Sequence, residues 1–90
     1  MIHRTFSYND ICQASANRQI TETGTSIVKA DTTLTYFITS IIGSSVTIKD
    51  AAGATMIVTN SISFNWPIRI DDGFDVSASG TVYLTYFTLG

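Results

Sequence analysis

Residues 62–71 read Ile-Ser-Phe-Asn-Trp-Pro-Ile-Arg-Ile-Asp. Ile62, Phe64, Trp66, Ile68 and Ile70 alternate with Ser63, Asn65, Pro67, Arg69 and Asp71. Successive side chains of an extended chain point to opposite faces, so strict alternation marks a strand with one apolar side. The five apolar residues are expected on one face, most of them buried. Pro67 has no N–H to give to a ladder, so the run is an edge strand or two strands with a kink between them.

The same period extends outward in both directions. Downstream, Asp71-Asp72-Gly73 reads as a turn, Phe74, Val76 and Ala78 alternate with polar residues, and Ser79-Gly80 turns the chain again. Thr81–Leu89 is the last strand, with Val82, Leu84 and Tyr86 on one face and Tyr83, Thr85 and Phe87 on the other. Apolar residues on both faces make it central in its sheet or pressed against another subunit. Upstream, Thr25–Ala30 is a short strand carrying Ile27 and Val28, and Asp31-Thr32-Thr33 is a turn. Leu34–Ile42 follows, with Leu34, Tyr36, Ile38 and Ile42 expected on one face, and Gly43-Ser44-Ser45 breaks it. Val46 and Ile48 lead through the loop Asp50-Ala51-Ala52-Gly53 into Ala54–Thr59, a hairpin whose Gly supplies positive φ. Asn60 and Ser61 turn the chain again. Seven or eight short strands with turns about every ten residues predict an all-β sandwich or small barrel.

Residues 1–23 differ. Isolated apolar residues (Ile2, Phe6, Tyr8, Ile11, Ile20) stand among Asn, Gln, Ser and Arg without a sustained period. The segment reads as an extended arm, or as a short helical turn from Ile11 to Ala16 capped by Asn9 or Asp10. The expected organisation is an N-terminal arm over 1–23 and a β-domain over 24–90. Such an arm has little surface to bury against its own domain, so Phe6, Tyr8 and Ile11 are expected to contact another chain. Tyr83 and Phe87, on the second face of the last strand, join them as interface candidates.

Composition points the same way. Val, Ile and Thr make up about a third of the 90 residues, and charged residues only 13%. Branched side chains fit a pleated surface, and a surface poor in charge suits burial against neighbours. So small a domain is marginal alone. Cys12 is the single cysteine, so no intrachain disulfide can staple it and oligomerisation is the favoured remedy. The net charge of -2, with the five basic residues scattered, argues against nucleic acid. The apolar stretch from Tyr36 to Ile42 is far too short to span a bilayer, and the first ten residues lack the apolar core of a signal peptide.

Catalysis is not expected. A hydrolytic triad needs an imidazole base, and His3, the single histidine, lies in the N-terminal segment beside no placeable nucleophile. It reads as an exposed or interface residue, and Cys12 as a small buried or interface hydrophobe. Asp71, Asp72 and Asp75 cluster at a Gly-containing turn, but their spacing does not match a calcium loop, and Asp at a turn supports tight backbone geometry. No Gly-rich phosphate cradle opens a helix, and no cofactor is expected. Trp66, Tyr83, Tyr86 and Phe87 could form a sugar-stacking platform, although alternating aromatics more often build a core.

Three segments, SSVTIKDAAGATMIV, PIRIDDGFDV and SASGTVYLTY, together resemble small β-sandwich structural proteins of tailed bacteriophages: capsid decoration, head-fibre and neck proteins. The resemblance rests on Asp50, Gly53, Gly73, Phe74, Val76, Ser79, Gly80, Val82, Leu84, Thr85 and Tyr86 and covers residues 34–86. It is a pattern of strands and turns, and neither the first 23 residues nor those after Tyr86 share it. It implies a jelly-roll sandwich made in the host cytoplasm and carried in the virion. The expected role is a capsid decoration or cement protein: a homo-oligomer, trimer favoured, binding the major capsid protein or another virion protein. The alternative is a receptor- or glycan-binding module of a phage fibre or tail, followed by a free-standing cellular binding domain.

Overall fold

The computed structural model describes residues 5–90, so His3 lies outside the described residues. Helix α1 spans Tyr8–Asn17, and four strands follow: β1 (Ile20–Ile42), β2 (Val46–Asp50), β3 (Thr55–Thr59) and β4 (Ile62–Leu89). They form one antiparallel sheet in the order β1-β4-β2-β3. The described residues are mostly antiparallel β-sheet with one short helix.

Two long strands replace most of the seven or eight short ones expected. β1 has 23 residues and β4 has 28. The residues read as turns are corners and bulges inside them. Asp31 and the residues after it fill the register break between Ala30 and Thr35, and the Asp31 carboxylate accepts from the Thr33 N–H at 2.9 Å and the Thr33 hydroxyl at 2.6 Å. Ser79 and Gly80 lie in a bulge of β4, between Ser77, which pairs with Ser26, and Val82, which pairs with Gly24. Asp72 and Gly73 bend β4 with φ of 70° and 132°. A β-carbon on Gly73 would overlap the carbonyl oxygen of Lys29, so this corner needs glycine for space as well as for φ.

These corners let β4 pair with β1 twice. Thr35 is opposite Asp71 on one side and Leu89 on the other, and Ile38 lies likewise between Ile68 and Tyr86. Neighbouring strands are about 4.8 Å apart, so the two ends of this stretch of β4 come within about 10 Å of each other. The first half of β1 runs along the same strand, from Ile20 opposite Tyr86 to Ala30 opposite Gly73. β2 pairs with residues 74–77 of β4, and β3 completes the one short hairpin. Its loop is as expected: Gly53 has φ 87°, and the Asp50 carboxylate accepts from the N–H groups of Ala52 at 3.0 Å and Ala54 at 2.9 Å.

One face of this sheet supplies the main core: Ile27, Tyr36, Ile38, Ile41, Val46, Ile48, Ile70, Phe74, Val76, Val82, Leu84 and Tyr86. The face read from residues 62–71 is largely not in it. Ile70 is buried, Phe64 and Ile68 pack at its margin, and Ile62 and Trp66 are 39% and 45% exposed. The strand lies at the sheet margin, paired only with residues 35–42, and its register slips between Ser63 and Ile68, around Pro67. Pro67 thus occupies a bulge on an edge, where its missing N–H costs no ladder bond. The β1 face also shifts: the register break between Ile38 and Ser40 turns Ile41 inward and leaves Ile42 57% exposed.

The segment read as an arm folds onto its own sheet. Ser7 is the N-cap of α1, its hydroxyl accepting from the Asp10 N–H while the Asp10 carboxylate accepts from the Ser7 N–H, both at 3.1 Å. This capping box places the cap at Ser7 rather than at Asn9 or Asp10. Ala14 is buried with Phe37 and Phe87, and Phe6, Ile11 and Leu89 pack around them. The Phe37 and Phe87 rings stack at 5.0 Å, with Phe6 edge-on to Phe37 at 6.0 Å. β1 then starts at Ile20, inside the expected arm.

Three substitutions check this packing. Phe87→Ala should lower the unfolding free energy by about 3–5 kcal/mol and Phe64→Ala, at the margin, by only about 1–2 kcal/mol, measured by urea denaturation. Gly73→Ala should cost about 3 kcal/mol, because strain at positive φ adds to the overlap with Lys29.

Candidate functional surfaces

The outer face of the sheet is divided between two environments. The helix covers Phe37 and Phe87 at one end. At the other end Ile42 and Tyr83 stand side by side as register partners, 57% and 47% exposed. Cross-strand partners project to the same side, so Thr23, opposite Tyr83, and the Thr21–Thr85 pair extend this surface. The Thr21 and Thr85 hydroxyls are hydrogen-bonded at 3.0 Å. Thr39 donates to the Thr85 carbonyl at 3.1 Å and to the Gln19 side chain at 3.3 Å, which ties the helix exit to this face. No charged side chain lies among these residues.

A second exposed feature lies between α1 and the margin of β4. Tyr8, 72% exposed, stacks on Trp66 with ring centroids 5.1 Å apart and planes within 9°. Beside the pair runs an open groove of about 250 Å³, lined by Ile11, Cys12, Ser15, Ala16, Asn65, Trp66 and Pro67. The Tyr8 hydroxyl is held above its ordinary pKa, first by its hydrogen bond with Cys12 one helical turn on. Cys12 is half-buried in the groove wall.

The five residues singled out as interface candidates are therefore in different situations. Tyr83 is open on the outer face, and Tyr8 is open on the helix. Phe6 and Ile11 are half-buried against the second core. Phe87 is fully buried within its own chain and has no surface to offer a neighbour. The Phe87 end of that face is covered intramolecularly, because α1 sits on it, and the strand is central, between residues 20–24 and 35–42. The pairing of Tyr83 with an exposed Ile42 was not legible in sequence, since it needs the bulge that turns Ile42 outward. The stacking of Tyr8 on Trp66 was equally hidden, since it needs the helix to cross the sheet margin.

Of the acidic turn residues, Asp71 has a structural role. Asp71 accepts from the buried Thr35 hydroxyl at 2.7 Å and pairs with Arg69 at 3.3 Å. Among the described residues, no group of three or more His, Cys, Asp or Glu side chains converges as a metal site. Family models, curated proteins and solved structures yield no match to this chain. Its function has to be read from its own surfaces.

One polar cluster makes stability depend on pH. Lys29 bonds Glu22 at 2.6 Å, and its ammonium lies 5.9 Å from the centre of the Tyr86 ring. The hydrogen bond to Glu22 holds the Lys29 pKa above its ordinary value of 10.5, while burial raises Tyr36 and Tyr86 above 10.0. Each raised value favours the protonated group in the folded state. That stabilisation is complete below the unfolded pKa and is lost as pH rises through the folded one. The urea midpoint should therefore hold steady from about pH 8 and fall beyond about pH 10, and Tyr86→Phe should reduce the fall.

Proposed function

We propose that this protein is a virion structural component, a capsid decoration protein of a tailed bacteriophage that binds its shell and performs no chemistry. The observation that carries the reading is the exposed, uncharged Ile42–Tyr83 surface with its threonine surround. An aromatic and an aliphatic side chain on a rigid sheet give area to bury at little entropic cost, and threonine hydroxyls can meet backbone groups of a partner. Repetition over a shell multiplies a weak contact into firm attachment. The doubling back of β4 on β1 and the main core shared by β1, β2 and β4 support a sandwich of jelly-roll type built from long bent strands.

A second reading, a glycan-binding module of a fibre or tail, draws on the Tyr8–Trp66 stack and the groove beside it. Exposed aromatic rings next to amide and hydroxyl groups, here Asn65 and Ser15, are the parts a sugar site needs.

Two measurements separate the readings. Sedimented with capsids of its parent phage, the chain should pellet at a fixed ratio to shell subunits, and Tyr83→Asp should weaken binding about tenfold or more. A chain left in the supernatant would overturn the decoration reading. Trp66 is the sole tryptophan and half-exposed, so its fluorescence reports the groove directly. Titration with a saccharide panel should leave it unchanged, and saturable quenching would favour the glycan module.

A further inference from the structure

The molecule has two cores, and α1 belongs to only one of them. Every buried residue of the main core comes from β1, β2 or β4. The second core is small: Ala14, Phe37 and Phe87, with Phe6, Ile11 and Leu89 around them. Ala14 is the one buried residue of α1. Among the described residues, no hydrogen bond or ion pair joins α1 to the sheet. What holds the helix there is apolar packing, with Phe6 edge-on to Phe37 just before its start and Tyr8 stacked on Trp66. The Gln19–Thr39 bond lies beyond its end.

The dependence therefore runs one way. The sheet keeps its main core whether or not α1 is docked, but the helix has little stability of its own. Isolated helices shorter than about 12 residues are marginal in water even when rich in alanine. α1 has ten residues, and Asn9, Cys12, Ser15 and Asn17 are poor helix formers.

We infer that α1 is a detachable cover of the outer face, a contact that opens as a unit while the sheet stays folded. Opening melts the helix, separates Tyr8 from Trp66 and bares Phe37 and Phe87. Tyr83, Thr85 and Phe87 alternate along one strand and share its outer face. The uncovered rings thus extend the surface at Ile42 and Tyr83 into a longer apolar face. A partner that needs the whole of it binds only the open form, and its affinity is reduced by the open fraction, which makes the closed helix autoinhibitory. The opening itself is independent of the decoration reading. Only its consequence for a shell partner rests on that reading, which stands or fails on Tyr83 and capsid binding.

The test is native-state hydrogen exchange of the full chain in increasing sub-denaturing urea, with the emission of Trp66, the sole tryptophan, as a second probe. After correction for intrinsic rates, the amides of Ala14 and Ser15 in the middle of α1 should exchange at least about tenfold faster than those of residues 83–87. Trp66 emission should move to the red at lower urea than the far-UV signal of the sheet is lost. Ser7→Ala removes the capping hydroxyl and should speed α1 exchange about fivefold. Ile48→Val, in the main core and away from the helix, should speed exchange of residues 83–87 about fivefold and leave α1 unchanged. Ala14 and Ser15 amides as slow as those of the central strand would overturn the inference. So would coincident Trp66 and far-UV transitions, or Ile48→Val speeding helix and strand alike.

Discussion

The Thr35 hydroxyl is fully buried and donates to the Asp71 carboxylate at 2.7 Å. Thr35 is also the residue at which β1 meets β4 on both sides, with Asp71 opposite on one and Leu89 on the other. The hydrogen bond therefore sits where the doubled-back strand closes. A polar group buried without a partner is costly, and this one is paired, as is every buried side-chain polar atom among the described residues. Everything else in the fold follows from that closure. Gly73 must press on Lys29 for β4 to bend, residues 83–89 become a central strand, and the main core forms on one face of the bent sheet.

The other side then has to be dealt with. A central strand with Tyr83, Thr85 and Phe87 on its outer face exposes a large apolar surface unless something covers it. The helix covers the Phe87 end, held by a capping box at its start and by the Gln19–Thr39 contact beyond its end. Ten residues of helix reach about 15 Å, too short to cover the whole strand, and the Tyr83 end is left open. The division of this face into a packed part and an available part is a matter of helix length.

Much of this was legible in the sequence, and the failures have a common physical origin. The alternation from Thr25 onward gave the β class, the Asp50–Gly53 hairpin and the inward set Phe74, Val76, Val82, Leu84 and Tyr86. Glycine and aspartate were read as turns between strands, and at Asp31, Asp72-Gly73 and Ser79-Gly80 they are corners and bulges within one, a difference that local residues do not show. At Asp72-Gly73 and Ser79-Gly80 the distant partner decides, since β1 runs past both and keeps β4 continuous. The same long-range pairing demoted Ile62 and Trp66, whose alternation was clean but whose strand sits at a margin. The helix was read in part, as a turn over Ile11–Ala16 that was one of two alternatives. Ser7 and Asp10 stand at capping-box spacing, and Phe6, Ile11 and Ala14 lie on its buried side, yet nothing local shows that Phe37 and Phe87 await them.

The pairing scheme also governs how the chain reaches its structure. Apart from the β2–β3 hairpin, almost every ladder joins residues far apart in sequence, and Gly24 meets Val82 across about sixty residues. Non-local pairing of this kind requires loop closure before any contact repays it, which places folding in the millisecond-to-second range. Residues 82–89 contribute Val82, Leu84, Tyr86 and Phe87 to the two cores, so neither core can be completed without them. Until that strand docks, the short hairpin is the most local piece of the sheet among the described residues, and an isolated hairpin is marginal in water. Chains waiting in that condition expose β3 without the rest of the protein behind it, which makes the rate of closure, more than the final stability, the quantity that protects this protein from aggregation.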